Sequence, residues 1–186
     1  MSKPIIGIIS EHPYNDGKPI ADLLEQYFPE KAEYIPLLSS YRGSALGNGT
    51  FYDELVVVFE DNECDFILVI QDLDNDKNLK SRNAFFEKCK TLTNDKAQYL
   101  LFVYMLEALA IIDFETTEKH YNKKIKQTER PNNNKNAKNS LQQLFGYKES
   151  DMRGLVAQFD TQKLKQNYSV WADFLIDFEH KLYTQS

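Results

Sequence analysis

A chain of 186 residues that is 42% hydrophobic and 13% aromatic has the material for one sizeable core. A net charge of −6 excludes a generally basic nucleic-acid binder but leaves local patches open. Two cysteines, Cys64 and Cys89, form neither a disulfide framework nor a metal-ligand spacing, and are expected as buried thiols in a reducing cytoplasm.

Residues 4–10 (PIIGIIS) are predicted as a buried strand. Residues 20–28 (IADLLEQYF) carry Leu23, Leu24, Tyr27 and Phe28 at helical spacing. Residues 32–37 read as a short strand stopped around Pro36, and 38–50 as a Ser- and Gly-rich loop. Residues 51–62 are predicted as a helix, against the strand propensity of Val56-Val57-Val58. Residues 66–71 (FILVIQ) are apolar without alternation, which predicts a strand covered on both faces. A polar-faced helix over 79–89 and an apolar strand over 98–104 follow. Alternating strands and helices predict an α/β fold: a mostly parallel sheet flanked by helices.

The second half changes character. Residues 105–114 read as an apolar helix. Residues 119–139 are polar and Asn-rich, with Lys119, Lys123, Lys124, Lys126, Arg130, Lys135 and Lys138 against Glu129 alone. This stretch is either a local grip on a phosphate backbone or a solvated loop. Helices are predicted around 140–145, 151–159 and 168–183. No repeat or second domain is visible, so residues 1–186 are expected as one domain, with a core over 1–115 and a helical extension over 116–186 packed on the same sheet. The N-terminus has no basic region leading into a long apolar core. The longest apolar stretch, 99–112, is too short to span a bilayer and is interrupted by Glu107. A soluble cytoplasmic protein with no membrane partner is expected.

Chemistry concentrates where strands end. In a parallel sheet the strand ends share one edge, and ligands bind outside it. The first strand runs into Ser10-Glu11 and the third into Gln71-Asp72-Leu73-Asp74. If those strands are neighbours, Glu11, Asp72 and Asp74 meet. Two carboxylates ~5 Å apart repel by roughly 3 kcal/mol at an effective dielectric of ~20, and a divalent cation removes the conflict. Hard oxygen donors suit Mg²⁺ or Mn²⁺ rather than Zn²⁺. The alternative is ordinary turn chemistry, since Asp and Asn favour loops. An EF-hand loop fits poorly: Asp72-x-Asp74-x-Asp76 lacks the following glycine, and its twelfth position is Asn83.

A glutamate after the first strand and Asp-x-Asp after the third resemble the signature of the Toprim fold of topoisomerases, primases and OLD-type nucleases. Later segments resemble a branch of small bacterial Toprim-like proteins, often encoded beside an ABC/SMC-type ATPase in phage-defence settings. These segments are Glu107-Ala108-Leu109-Ala110-Ile111-Ile112-Asp113, Tyr147-Lys148, Phe159-Asp160 and the aromatic-rich 170–175. His12 stands where the branch usually has glycine, and Leu109 where it has tryptophan. The resemblance implies catalytic and metal-ligating roles for Glu11, Asp72 and Asp74, Mg²⁺ or Mn²⁺ as cofactor, nucleic acid (DNA or RNA) as substrate, and an ATPase partner.

Around those acids, Glu107, Asp113, Asp76 and His12 are candidates for supporting the site. Asp113 lies six positions after Glu107, off its helical face. Arg42, after the second strand, and Lys148 are candidate phosphate contacts, with surface roles as the alternative. His120 and His180 have no partner at ligand spacing. Tyr168, Trp171, Phe174, Phe178 and Tyr183 are expected in the core rather than as a base-stacking platform. No Gly-rich phosphate loop, Ser-His-Asp signature or redox motif is present. Two functions follow: a Mg²⁺-dependent Toprim-type nuclease acting in phage defence, or a catalytically inactive Toprim-like subunit that docks on an ATPase. A phospho-acceptor receiver domain is disfavoured, because it places paired acids after the first strand and a single Asp after the third, the reverse of this chain.

Overall fold

The computed structural model describes residues 3–41, 46–73, 76–102 and 106–184, and at Asp76 the backbone alone. Arg42 and Asp74, both candidates above, lie outside the described residues, as does the side chain of Asp76.

Four strands form one sheet, parallel throughout: β1 (Ile5–Ser10), β2 (Glu33–Pro36), β3 (Phe66–Asp72) and β4 (Ala97–Phe102), in the order β2-β1-β3-β4. The unbroken apolar run of β3 explains its place between β1 and β4. Its side chains alternate between two cores. Phe66, Leu68 and Ile70 enter one, together with Ile6, Ile8, Leu100 and Phe102. Ile67 and Val69 enter the other, with Ile9.

Helices α1 (Lys18–Tyr27), α2 (Gly49–Asp61) and α3 (Leu79–Leu92) make the crossovers. Leu23 and Leu24 of α1 pack into the first core, while Phe51, Leu55 and Phe59 of α2 and Phe85 and Cys89 of α3 pack into the second. The sheet therefore has helices on both faces, as its apolar strands predict. The valine triplet of α2 stays helical for two reasons. Asn48 caps the helix, its Oδ1 accepting from Phe51 N at 2.7 Å. Phe51, Leu55 and Phe59 recur every four residues on the buried face, and that burial outweighs the β-propensity of Val56–Val58. Cys64 and Cys89 are buried, and burial pushes their thiols up to about 11 and about 12, so neither is a ready nucleophile.

Gly7 is required at the middle of β1. A Cβ there would drive into the side chain of Leu37 and stand 3.2 Å from Cys64 Sγ. After β1 the chain makes a tight π-helical turn, Pro13–Gly17, that runs directly into α1. Sequence spacing alone did not reveal that turn.

Six α-helices follow among the described residues, with an irregular stretch over 121–136: α4 (Ala108–Ile112), α5 (Phe114–His120), α6 (Ala137–Phe145), α7 (Met152–Val156), α8 (Thr161–Asn167) and α9 (Ser169–Thr184). The single apolar helix expected over 105–114 is instead the short α4, which ends at Asp113 as the chain turns into α5. Residues 151–159 hold only the short α7, and α8 lies where no helix was predicted. Apolar residues of α4–α9 share the core beneath α1, among them Leu109, Leu141, Leu155, Leu164 and Trp171. The extension is thus part of the sheet's own core. No helix of the described residues is long and apolar enough to cross a membrane.

Trp171 fastens this layer. Its Nε1 donates to Tyr27 OH at 3.1 Å, and that hydroxyl donates to the carbonyl of Thr161, joining α9, α1 and α8. Trp171→Ala is expected to cost about 3–5 kcal/mol. Urea unfolding followed by far-UV circular dichroism and by tyrosine fluorescence should still give one coincident transition, because sheet and extension share a core.

Candidate functional site

The strand order reverses direction between β1 and β3: α1 carries the chain outward to β2, and α2 brings it back past β1. Such a switch point leaves a crevice outside the carboxyl ends of the two strands. Ser10 pairs in register with Ile70, so Glu11 and Asp72 leave adjacent strands at nearly the same level. Both line one cavity of about 160 Å³.

Three further segments complete the walls. The π-helical turn contributes His12, Asn15 and Asp16. The approach to α4 contributes Leu106 and Glu107, and the extension contributes Lys138, Tyr147 and Glu149. Five carboxylates thus face one small space, and each described contact reduces the conflict among them in a different way. Glu11 Oε1 is paired with Arg82 Nη1, which reaches across from α3. Glu149 is paired with Lys138 and accepts from Asn15 Nδ2 at 3.3 Å. Glu107, buried to 7% exposure, accepts from Tyr147 OH at 3.1 Å.

Protonation follows from these environments. Burial raises the Glu107 carboxyl above its ordinary range, against the pull of its own backbone N–H, Lys138 and Tyr147. The same burial, with the charge of Glu107 beside it, raises the Tyr147 phenol. The hydrogen bond from Lys138 lowers Glu149 and in turn raises Lys138. Asp16 is the most telling. Its Oδ2 accepts from His12 N at 3.1 Å, yet burial and the charges of Glu107 and Glu11 push it up to about 7. An aspartate at that value exchanges protons at neutral pH.

Comparison with protein-family models, with curated proteins and with solved structures finds no match. The functional reading therefore rests on the residues themselves.

The sequence-predicted residues divide clearly. Glu11, Asp72, Glu107 and His12 line the cavity. Asp113 does not. The chain does turn at Asp113, but its buried carboxylate accepts from Asp160 N at 2.8 Å and sits 3.2 Å from Lys163 Nζ. Burial alone would raise this group; the Asp160 N–H and Lys163 bring it below its ordinary value, as befits a structural anchor of α8. Lys148 is exposed and absent from the cavity walls; Lys138 from the basic stretch takes that position.

Three other cations of the basic stretch make structural contacts. Buried Glu118 takes Lys124 at 3.1 Å and Arg130 at 2.9 Å, and Lys123 binds the carbonyl of Leu144. Asp16, Arg82, Lys138 and Glu149 were not singled out from the sequence as site residues. Asp16 had no spacing signal, because the turn that aims it into the cavity is not legible in the sequence. Arg82 and Lys138 had none, because only the fold brings α3 and α6 to the strand ends.

The cavity walls carry carboxylate and amide oxygens together with the His12 imidazole, the Lys138 ammonium and the Tyr147 phenol. Among the described residues no group of three His, Cys, Asp or Glu stands at metal-ligand spacing. Two of the three expected acids line the cavity, and Asp74 lies outside the described residues.

The raised Asp16 has a consequence for stability. Between its ordinary value of 3.8 and about 7, the folded state holds more protons than the unfolded state. Stability from this group is therefore fully present at acid pH and is lost as pH rises through about 7. Asp16→Asn should remove that loss. Thermal melts across this range are expected to show the variant gaining on the wild type as pH increases.

Proposed function

We propose that this chain is a divalent-cation-dependent phosphodiesterase that cleaves nucleic acid, DNA or RNA. The observation that carries the reading is the meeting of Glu11 and Asp72 across the β1/β3 switch point, in a cavity walled by further acids. The resemblance of Glu11 and Asp72-x-Asp74 to the Toprim signature supports it. Glu11, Asp72 and Asp74 would hold Mg²⁺ or Mn²⁺, which when bound supplies a more acidic water and neutralises phosphate charge.

The chain's own residues provide the remainder. Asp16, held through Oδ2 by the His12 N–H, takes up or releases a proton near neutral pH. Lys138, fixed by Glu149, places a cation on the wall opposite the strand ends for an incoming phosphate. Tyr147 keeps Glu107 oriented by its hydroxyl. A role in phage defence beside an ABC/SMC-type ATPase rests on the resemblance alone.

A second reading has one specific observation in its favour. The Arg82 guanidinium already neutralises Glu11, as in a subunit that docks on a partner without turnover. The two readings separate in a cleavage assay on mixed DNA and RNA with Mg²⁺ or Mn²⁺. Under the first, the wild type cleaves, and Glu11→Ala and Asp72→Ala lose at least the ~10–100-fold that even outer-shell changes cost a metal site. Activity retained in both variants, with folding intact, removes the assignment.

Metal binding is checked independently by melting. Mg²⁺ is expected to raise the Tm of the wild type by linkage and to leave that of Asp72→Ala unchanged.

A further inference from the structure

The turn that carries His12 and Asp16 also holds up a ring that the site chemistry does not use. Tyr14 is 71% exposed, more than any other large hydrophobic residue among those described. Its ring stacks on no other ring among the described residues. The backbone beneath it is closely held. The carbonyl of His12 accepts from the N–H groups of Asn15 at 3.1 Å, Asp16 at 2.8 Å and Gly17 at 3.3 Å. Pro13 and Gly17 are buried, and a Cβ on Gly17 would stand 2.8 Å from Ser10 Oγ, so the turn lies directly against the end of β1. Asn15 is tied across the cavity to Glu149.

A second hollow of about 130 Å³ opens on this turn, lined by His12, Pro13, Tyr14 and Asn15. It shares His12 and Asn15 as walls with the acid-lined cavity, so the two lie side by side. An aromatic face on a firmly held turn, beside a hollow that adjoins the acid-lined cavity, matches what an unstacked base requires. Base–aromatic stacking tolerates any base, since every base has a π-face. A base inside a duplex has both faces covered and cannot reach such a ring.

We propose that Tyr14, with the imidazole of His12 beside it, is a stacking platform for the nucleobase next to the phosphate in the acid cavity, and that the substrate is accordingly single-stranded or locally unpaired. This rests on the nucleic-acid reading above. It adds strand selectivity, which the acids alone do not supply. Because Tyr14 projects into solvent, its substitution leaves the core untouched.

The test uses a short single-stranded oligonucleotide carrying 2-aminopurine, the same sequence as a duplex, and the full chain with Ca²⁺ for binding and Mg²⁺ for turnover. Wild type should quench the probe and bind the single strand in preference to the duplex. Tyr14→Ala should weaken single-strand binding about tenfold and abolish the quenching, whereas Tyr14→Phe should preserve both. In turnover the Ala variant should raise KM and leave kcat near the wild-type value. A Tyr14→Ala variant that binds like wild type, or a wild type that prefers the duplex, overturns the platform while leaving the nuclease reading in place. A wild type that binds neither probe overturns the platform together with the reading beneath it. Asp72→Ala that binds and quenches but does not cleave supports both.

Discussion

The complete burial of β3 is the constraint on which the rest depends. A strand whose side chains are apolar on both faces cannot sit at a sheet edge or face water. It needs strands on either side and helices above and below. β1 and β4 supply the first, and α1 with the extension on one face and α2 with α3 on the other supply the second. With β2 on the far side of β1, the strand order must reverse between β1 and β3, and the reversal opens the crevice where Glu11 and Asp72 emerge. The site is thus a by-product of how the hydrophobic core is closed.

Charge management within the crevice is equally physical. Five carboxylates in so small a space would destabilise the fold if all were ionised and unpaired. The structure meets this with an arginine from α3, a lysine from α6, a phenol from the extension and a burial of Asp16 that raises its pKa. Each of these leaves the acids in place while lowering their mutual repulsion.

The helical extension is what turns the strand-end acids into an enclosed cavity. It delivers Lys138, Tyr147 and Glu149 to the open side of the crevice, and Asn15 links it back to the turn after β1. Within its basic stretch, Lys124 and Arg130 pair with the buried Glu118, while Lys119, Lys126 and Lys135 are exposed.

Local pattern determined much of this protein. Period-free apolar runs marked β1 and β3, helical spacing marked α1, and the alternation of strands and helices specified the parallel sheet. Because parallel strands end at one edge, Glu11 and Asp72 were legible as partners before any contact was known. What local pattern could not carry was everything that depends on long-range geometry. The π-helical turn of Pro13–Gly17 is held by the carbonyls of His12 and Pro13, by Asp16 on the His12 N–H and by packing on Ser10, so no periodicity announces it. Asp113 and Glu107 belong to the same sequence element, but the break after Ile112 turns one toward Lys163 and leaves the other in the cavity. Arg82 and Lys138 look like any other surface cations on polar helices. Only the tertiary structure decided that these two meet the acids, because sequence encodes the face of a helix but not where that helix will be docked.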